Sequence, residues 1–181
     1  MQRNLRVLPI VGAVCVPAVF LLVGCSREPL AAPSDEKTTR ERSKFFTQVR
    51  AEPQSGVLKG RLEAKFPTLK VEVGGVGGPV PMPTDSGPRV VRMELPVVVT
   101  DSPPDYAEIR PIVLTELESY LRELVTATGM VVDGPTREHL KEGRKDGFTL
   151  GYKSSAHSGT VFVGSEGALR GGILITVNED E

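Results

Sequence analysis

Strict period-two alternation is the feature that most limits what this chain can fold into. Phe148, Leu150 and Tyr152 alternate with Thr149, Gly151 and Lys153. Val161 and Val163 alternate with Thr160 and Phe162, and Ile173, Ile175 and Val177 with Leu174, Thr176 and Asn178. That period puts every second side chain on one face, the mark of a strand covered on one side only. The connections at 154–159 and 164–172 carry serines and glycines suited to turns, so the last third reads as a β-meander. A fourth run, 89–99, sets Val91, Met93, Leu95, Val97 and Val99 on one face. Pro96 has no N–H there, which favours an edge strand or a bulge.

Something must cover that sheet. After Ser102-Pro103-Pro104-Asp105, a capping-box pattern, Tyr106, Ile109, Val113, Leu117, Tyr120, Leu121 and Leu124 recur at three- and four-residue spacing. This is the principal helix, ending at Gly129 and kinked or restarted at Pro111. The expected fold class is α+β: an antiparallel sheet covered on one face by one main amphipathic helix, a two-layer sandwich.

Other segments are less regular. Phe45, Phe46 and Val49 suit a short helix. Leu58, Gly60, Leu62, Ala64 and Phe66 alternate with charged residues over 56–67, giving a strand; Leu69, Val71 and Val73 extend it after a turn at Pro67-Thr68. Residues 74–88 are so rich in glycine and proline that a loop is expected. No Gly-Lys-Ser/Thr follows, so this is not a phosphate cradle. Met130–Val132 suits a short strand, and Thr136 could cap a two-turn surface helix running to Glu142.

The amino terminus carries a different message. Arg3 and Arg6 precede Val7–Val23, which has no charge, and the run closes on Leu22-Val23-Gly24-Cys25. A basic segment, an apolar segment and a small-residue cleavage site make a secretory signal. The last four residues resemble the lipobox of bacterial lipoproteins. That resemblance implies cleavage between Gly24 and Cys25, a diacylglyceryl group on the Cys25 thiol and acylation of the new terminus. Cys15 follows Ala13-Val14, with a β-branched residue where the family has a small one, and belongs to the apolar run. An uncleaved anchor is the alternative, since 7–25 nearly matches the roughly 20 residues that span a bilayer. Residues 26–44 hold proline, serine, threonine and mixed charge, and suit a flexible tether reaching about 25 Å on average.

The chain therefore divides into a signal peptide at 1–24, a lipidated cysteine and tether at 25–44, and one α+β domain at 45–181 containing the Gly/Pro-rich loop at 74–88. The expected location is extracytoplasmic, on the cell membrane through Cys25. Ser26 rather than aspartate follows the cysteine, so in a host with two membranes the outer one is expected. A net charge of −1 offers no basic face for nucleic acid. No cysteine follows Cys25, which excludes an intrachain disulfide in the mature protein. Absence of tryptophan makes a sugar-stacking platform a poor fit.

Chemistry is sparse. Lys153-Ser154-Ser155-Ala156-His157-Ser158-Gly159 has a catalytic-looking composition, yet sequence neighbours do not make a nucleophile–base pair, and this stretch holds neither G-x-S-x-G nor S-x-x-K. His139 and Glu142 at helical i,i+3 spacing could give two metal ligands where three or four are needed. Asn178-Glu179-Asp180-Glu181 reads as a solvated tail. No cofactor, metal or catalytic residue is implied. The expectation is a lipid-anchored, non-catalytic domain binding an envelope protein. The alternatives are a hydrolase using Ser154, Ser155 or Ser158 with His157, or a small immunity or inhibitor domain.

Overall fold

The computed structural model describes residues 41–82, 90–101, 103–165 and 172–180. The lipobox, Cys25 and Ser102 lie outside them. The chain from Thr39 to Glu181 clusters as one compact unit. Its elements are α1 (Lys44–Ser55), α2 (Val57–Lys65), β1 (Lys70–Val73), β2 (Gly77–Met82), β3 (Val90–Asp101), α3 (Tyr106–Ala127), β4 (Val131–Val132), β5 (Arg137–Lys141), β6 (Arg144–Lys153), β7 (Ser158–Gly164) and β8 (Ile173–Asp180).

All strands pair antiparallel in one curled sheet, in the order β1-β3-β8-β7-β6-β4, with β2 also on β3 and β5 also on β6. The register simplifies this. β1 and β2 run along β3 end to end, Val71 opposite Val99 and Val80 opposite Arg92. They form one long outer strand, broken at 74–76. β4 and β5 likewise share β6, Val132 opposite Tyr152 and Arg137 opposite Thr149, with a break at 133–136. Between the two outer strands lie β3, β8, β7 and β6, and the expected meander is there as β6-β7-β8.

Pro96 is not on an edge strand, because β3 has neighbours on both sides. It sits where β2 has ended and β1 has not begun. Its carbonyl accepts the Gly74 N–H at 2.8 Å. A residue's N–H and C=O share one side of a strand, so the missing donor faces the break and the β8 ladder is intact.

One face of the sheet is the core face. Met93, Leu95, Phe148, Leu150, Val161, Val163, Ile175 and Val177 are buried there with Leu114, Leu117 and Leu121 of α3. The expectation of a single covering helix is corrected: Phe45, Phe46 and Val49 of α1 and Leu58 and Leu62 of α2 enter the same core. The strand expected over 56–67 is α2. Its alternation was ambiguous because Leu58 and Leu62 also lie one helical turn apart, and only they are buried, while Gly60 and Ala64 are exposed.

The α1–α2 corner is held by a buried carboxylate. Gly56, at φ 65°, ends α1 in the left-handed conformation that glycine adopts freely. Glu52, 3% exposed, then accepts the Leu58 N–H at 3.0 Å, the Ser55 hydroxyl at 3.3 Å and the Tyr120 hydroxyl of α3. Burial, followed by the bond to Glu52, pushes the Tyr120 phenol far above its ordinary range. Arg61 bridges α2 to α3 through Glu116 at 2.6 Å and Glu123 at 2.5 Å. Lys65 reaches Glu116 at 2.5 Å.

Four further expectations change. α3 has Asp105 at its N-cap with no side-chain capping bond; of the kink or restart expected at Pro111, the restart is excluded because the helix is continuous there. Buried Val113, Leu114 and Leu117 just beyond the proline hold it to the sheet. The helix expected at 136–142 is β5, so His139 and Glu142 do not share a helical face. Part of the Gly/Pro-rich loop at 74–88 is the edge strand β2; residues 83–88 lie outside the described ones. Ser43 is buried and caps α1 by accepting the Phe46 N–H at 3.1 Å, so the fold starts slightly before Phe45.

Candidate functional site

The serine–histidine stretch forms the β6–β7 turn. Ser154 Oγ accepts the backbone N–H of Ala156 at 3.2 Å and of His157 at 3.0 Å, and the Ser154 N–H donates to the His157 carbonyl at 2.7 Å. Ser158 Oγ donates to Asp180 at 2.6 Å, and Ser155 is exposed. Among the described residues no serine hydroxyl is hydrogen-bonded to the His157 ring. The hydroxyls act as turn and strand ties, and no nucleophile–base pair is assembled.

What His157 does meet is Glu179. The expected solvated tail is corrected here: residues 178–180 belong to β8, and Glu179 is fully buried. Its Oε1 accepts the Ser43 N–H at 3.1 Å, and the Tyr152 hydroxyl lies 3.5 Å from Oε2 and 3.3 Å from the Asn178 carbonyl. Burial first, then the neighbouring carboxylate, raises the Tyr152 phenol well above its usual range. His157 Nδ1 stands 3.8 Å from Oε1 without a hydrogen bond. Gly159 makes the cluster possible, since a Cβ there would lie 2.5 Å from the Tyr152 hydroxyl. An open cleft of about 400 Å³, lined by Arg42, Lys44, Thr128 and His157 among others, adjoins it. The cluster ties the start of α1 to the end of β8.

His139 lies on the sheet face away from the helices. Its partner across the ladder is Gly147, which has no side chain, so the imidazole crosses β6 to stack on Phe162 at 5.4 Å and bond Thr149 at 2.8 Å. Glu142 occupies the β5–β6 turn at φ 53°, followed by Gly143 at φ 74°. Among the described residues no three histidine, cysteine or acidic side chains gather closely enough to hold a metal.

Sequence reasoning missed the β5–β6 hairpin as a surface. All five β5 residues are exposed, with Leu140 at 65%. Lys145 is bonded to Glu118 at 2.7 Å and to Glu138 at 3.0 Å, which together outweigh its partial burial and raise its pKa. Arg110 of α3 pairs with Asp146. Arg137, Lys141 and Arg144 make no ion pair with any described residue. Beside them an open cleft of about 270 Å³ is lined by Arg110, Lys141, Arg144 and Asp146. Only the density of charge at 137–146 could have drawn attention to this edge.

Comparison with known proteins finds no family model, no curated protein and no solved structure that matches the chain.

Proposed function

We propose that this chain is a lipid-anchored envelope protein whose folded domain binds another envelope protein without catalysing a reaction. Cys25 carries the lipid and residues 1–24 are removed, so the domain stands outside the cytoplasm on a short tether, on the outer membrane where the host has one. Two acyl chains or more on one cysteine make membrane release negligible, whereas one chain alone binds only marginally.

The observation that favours binding over hydrolysis is the engagement of Ser154 and Ser158 in the turn and in the bond to Asp180. Aligning either with His157 requires those bonds to break and an orienting group to be found for a ring whose Nδ1 has no hydrogen-bond partner among the described residues. Assay of the purified protein and a His157→Ala variant on ester, amide, phosphoester and glycoside probes tests this. Equal background rates are expected from both; turnover that His157→Ala abolishes would reinstate the hydrolase.

A further inference from the structure

The two outer strands differ in what they offer to another chain, and the geometry points to β5 as a docking edge for an extended acidic segment of a partner protein. This rests on the binding reading above and names the surface that performs it.

An edge strand presents a row of unpaired N–H and C=O groups, and proteins that avoid edge pairing blunt it with proline, bulges or covering elements. Among the described residues no proline and no covering element blunts the outer side of β5; the irregularity in its pairing, between His139 and Leu140, places the extra residue, Asp146, on β6. Among the described residues it pairs only with β6, it holds no proline, and its five residues are exposed. Its alternation sorts the side chains. Glu138 lies opposite Phe148 on the helix-covered face, Leu140 shares that face, and Glu138 is held by Lys145. Arg137, opposite Thr149, and His139, opposite Gly147, lie on the other face, with Lys141 opposite Arg144 at the hairpin end.

That pattern selects the occupant. A second copy added antiparallel about His139 would set Arg137 against Lys141 twice, and like charges facing each other destabilise a strand pair. A segment with acidic residues at alternate positions satisfies Arg137, Lys141 and Arg144, which have no carboxylate partner among the described residues. An apolar residue between the acids covers Leu140. The cleft between the hairpin and the first turns of α3 brings Arg144 and Lys141 together with Glu142 and Asp146, and of its two acids Asp146 is already paired with Arg110. Strand addition of this kind draws affinity from the main chain and specificity from alternate side chains.

The test uses the lipidated protein in neutral detergent micelles at low ionic strength and a labelled peptide alternating glutamate with valine. Binding is expected, with loss of about tenfold or more when the peptide is N-methylated at alternate residues, since tenfold corresponds to one good hydrogen bond. Arg137→Glu/Lys141→Glu should lose the acidic peptide and gain a lysine–valine one; both positions are exposed, and circular dichroism checks that the fold is kept. Equal binding of methylated and unmethylated peptides would reduce the contact to charge alone and overturn strand addition. No binding of either would overturn the docking edge while leaving the non-catalytic reading, tested by the hydrolysis panel, in place. Wild-type dimerisation that competes with the peptide, or displacement of the peptide by anionic but not by neutral lipid, would assign the edge to a second copy or to a lipid surface and overturn the proposal.

Discussion

The outer strands of the sheet are built alike and finished differently. Each is a single strand broken once, opposite a backbone site where continuous pairing fails. On the β1–β2 side the break faces Pro96, and a Cβ on Gly74 would come within 2.7 Å of that ring. On the β4–β5 side the break begins at Asp133, whose N–H donates to the Gly151 carbonyl at 2.8 Å. Beyond the break, β2 carries Pro79 and Pro81, which remove donors from its exposed edge. β5 carries none, its one nearby proline, Pro135, lying in the break. One edge is thus blunted by proline and the other is charged and open, and the proposed docking uses the second.

The largest of the effects considered are expected where a glycine lets two backbones meet closely. Gly147→Ala would place Cβ 2.3 Å from the Val163 carbonyl, in the ladder that supports β5. A loss of about 3 kcal/mol is expected in urea unfolding. Gly78→Ala, on the sealed side, would meet the Arg92 carbonyl at 2.7 Å with φ at +98°, for about 2 kcal/mol. A reversed order would mean that β2, not β6, bears the sheet.

The helices above the two sides are linked by charge, and acid should loosen them. Bonds from Lys65 and then Arg61 hold the Glu116 carboxyl below the usual 4.5. The Arg61 fork, then Ser119, brings Glu123 to about 2. A carboxylate with a lowered folded pKa adds stability above the unfolded value and loses it as pH falls through the folded one. Glu116→Gln should therefore cost on the order of 1 kcal/mol near neutrality, and the difference from wild type should shrink below pH 4.5. A difference that is constant with pH would remove the ionic account.

Unsealing the first edge should change association more than stability. Pro81→Thr restores an N–H on β2 with stability within about 0.5 kcal/mol of wild type, and sedimentation should reveal self-association absent in wild type. A strictly monomeric variant would show that β2 is protected by something other than proline. The smallest effect belongs to the open edge. Glu142→Gly relieves a side chain held at φ 53° and should gain about 0.5 kcal/mol, read as a higher melting temperature. A lower melting temperature would indicate a structural role for Glu142 in the turn.

Much of the sheet was legible because it speaks locally. β3, β6, β7 and β8 declare themselves by alternation, and α3 by its apolar stripe. Two inversions share one cause. Leu58 and Leu62 satisfy both periods, and only packing into a core shared with α1 decides for helix. Residues 137–141 hold a single apolar residue, Leu140, so no periodicity opposes a helix there, and pairing with β6 imposes the strand. Glu179 was misjudged because an acidic run near a terminus usually meets water. The signal was present nonetheless: Ile173, Ile175 and Val177 extend at period two to position 179. Its partner Ser43 is 136 residues away and could not be foreseen. The open edge at β5 is less legible still, because an edge strand is a property of the assembled sheet.

We propose that Cys25 tethers this domain to a membrane. Intact mass and detergent-phase partition of the protein from its native envelope, beside a Cys25→Ser variant, test it directly. A native chain beginning at Cys25 with added acyl mass and partitioning into detergent is expected, and a variant that loses both. A native chain that keeps residues 1–24, or lacks acyl mass, would contradict it.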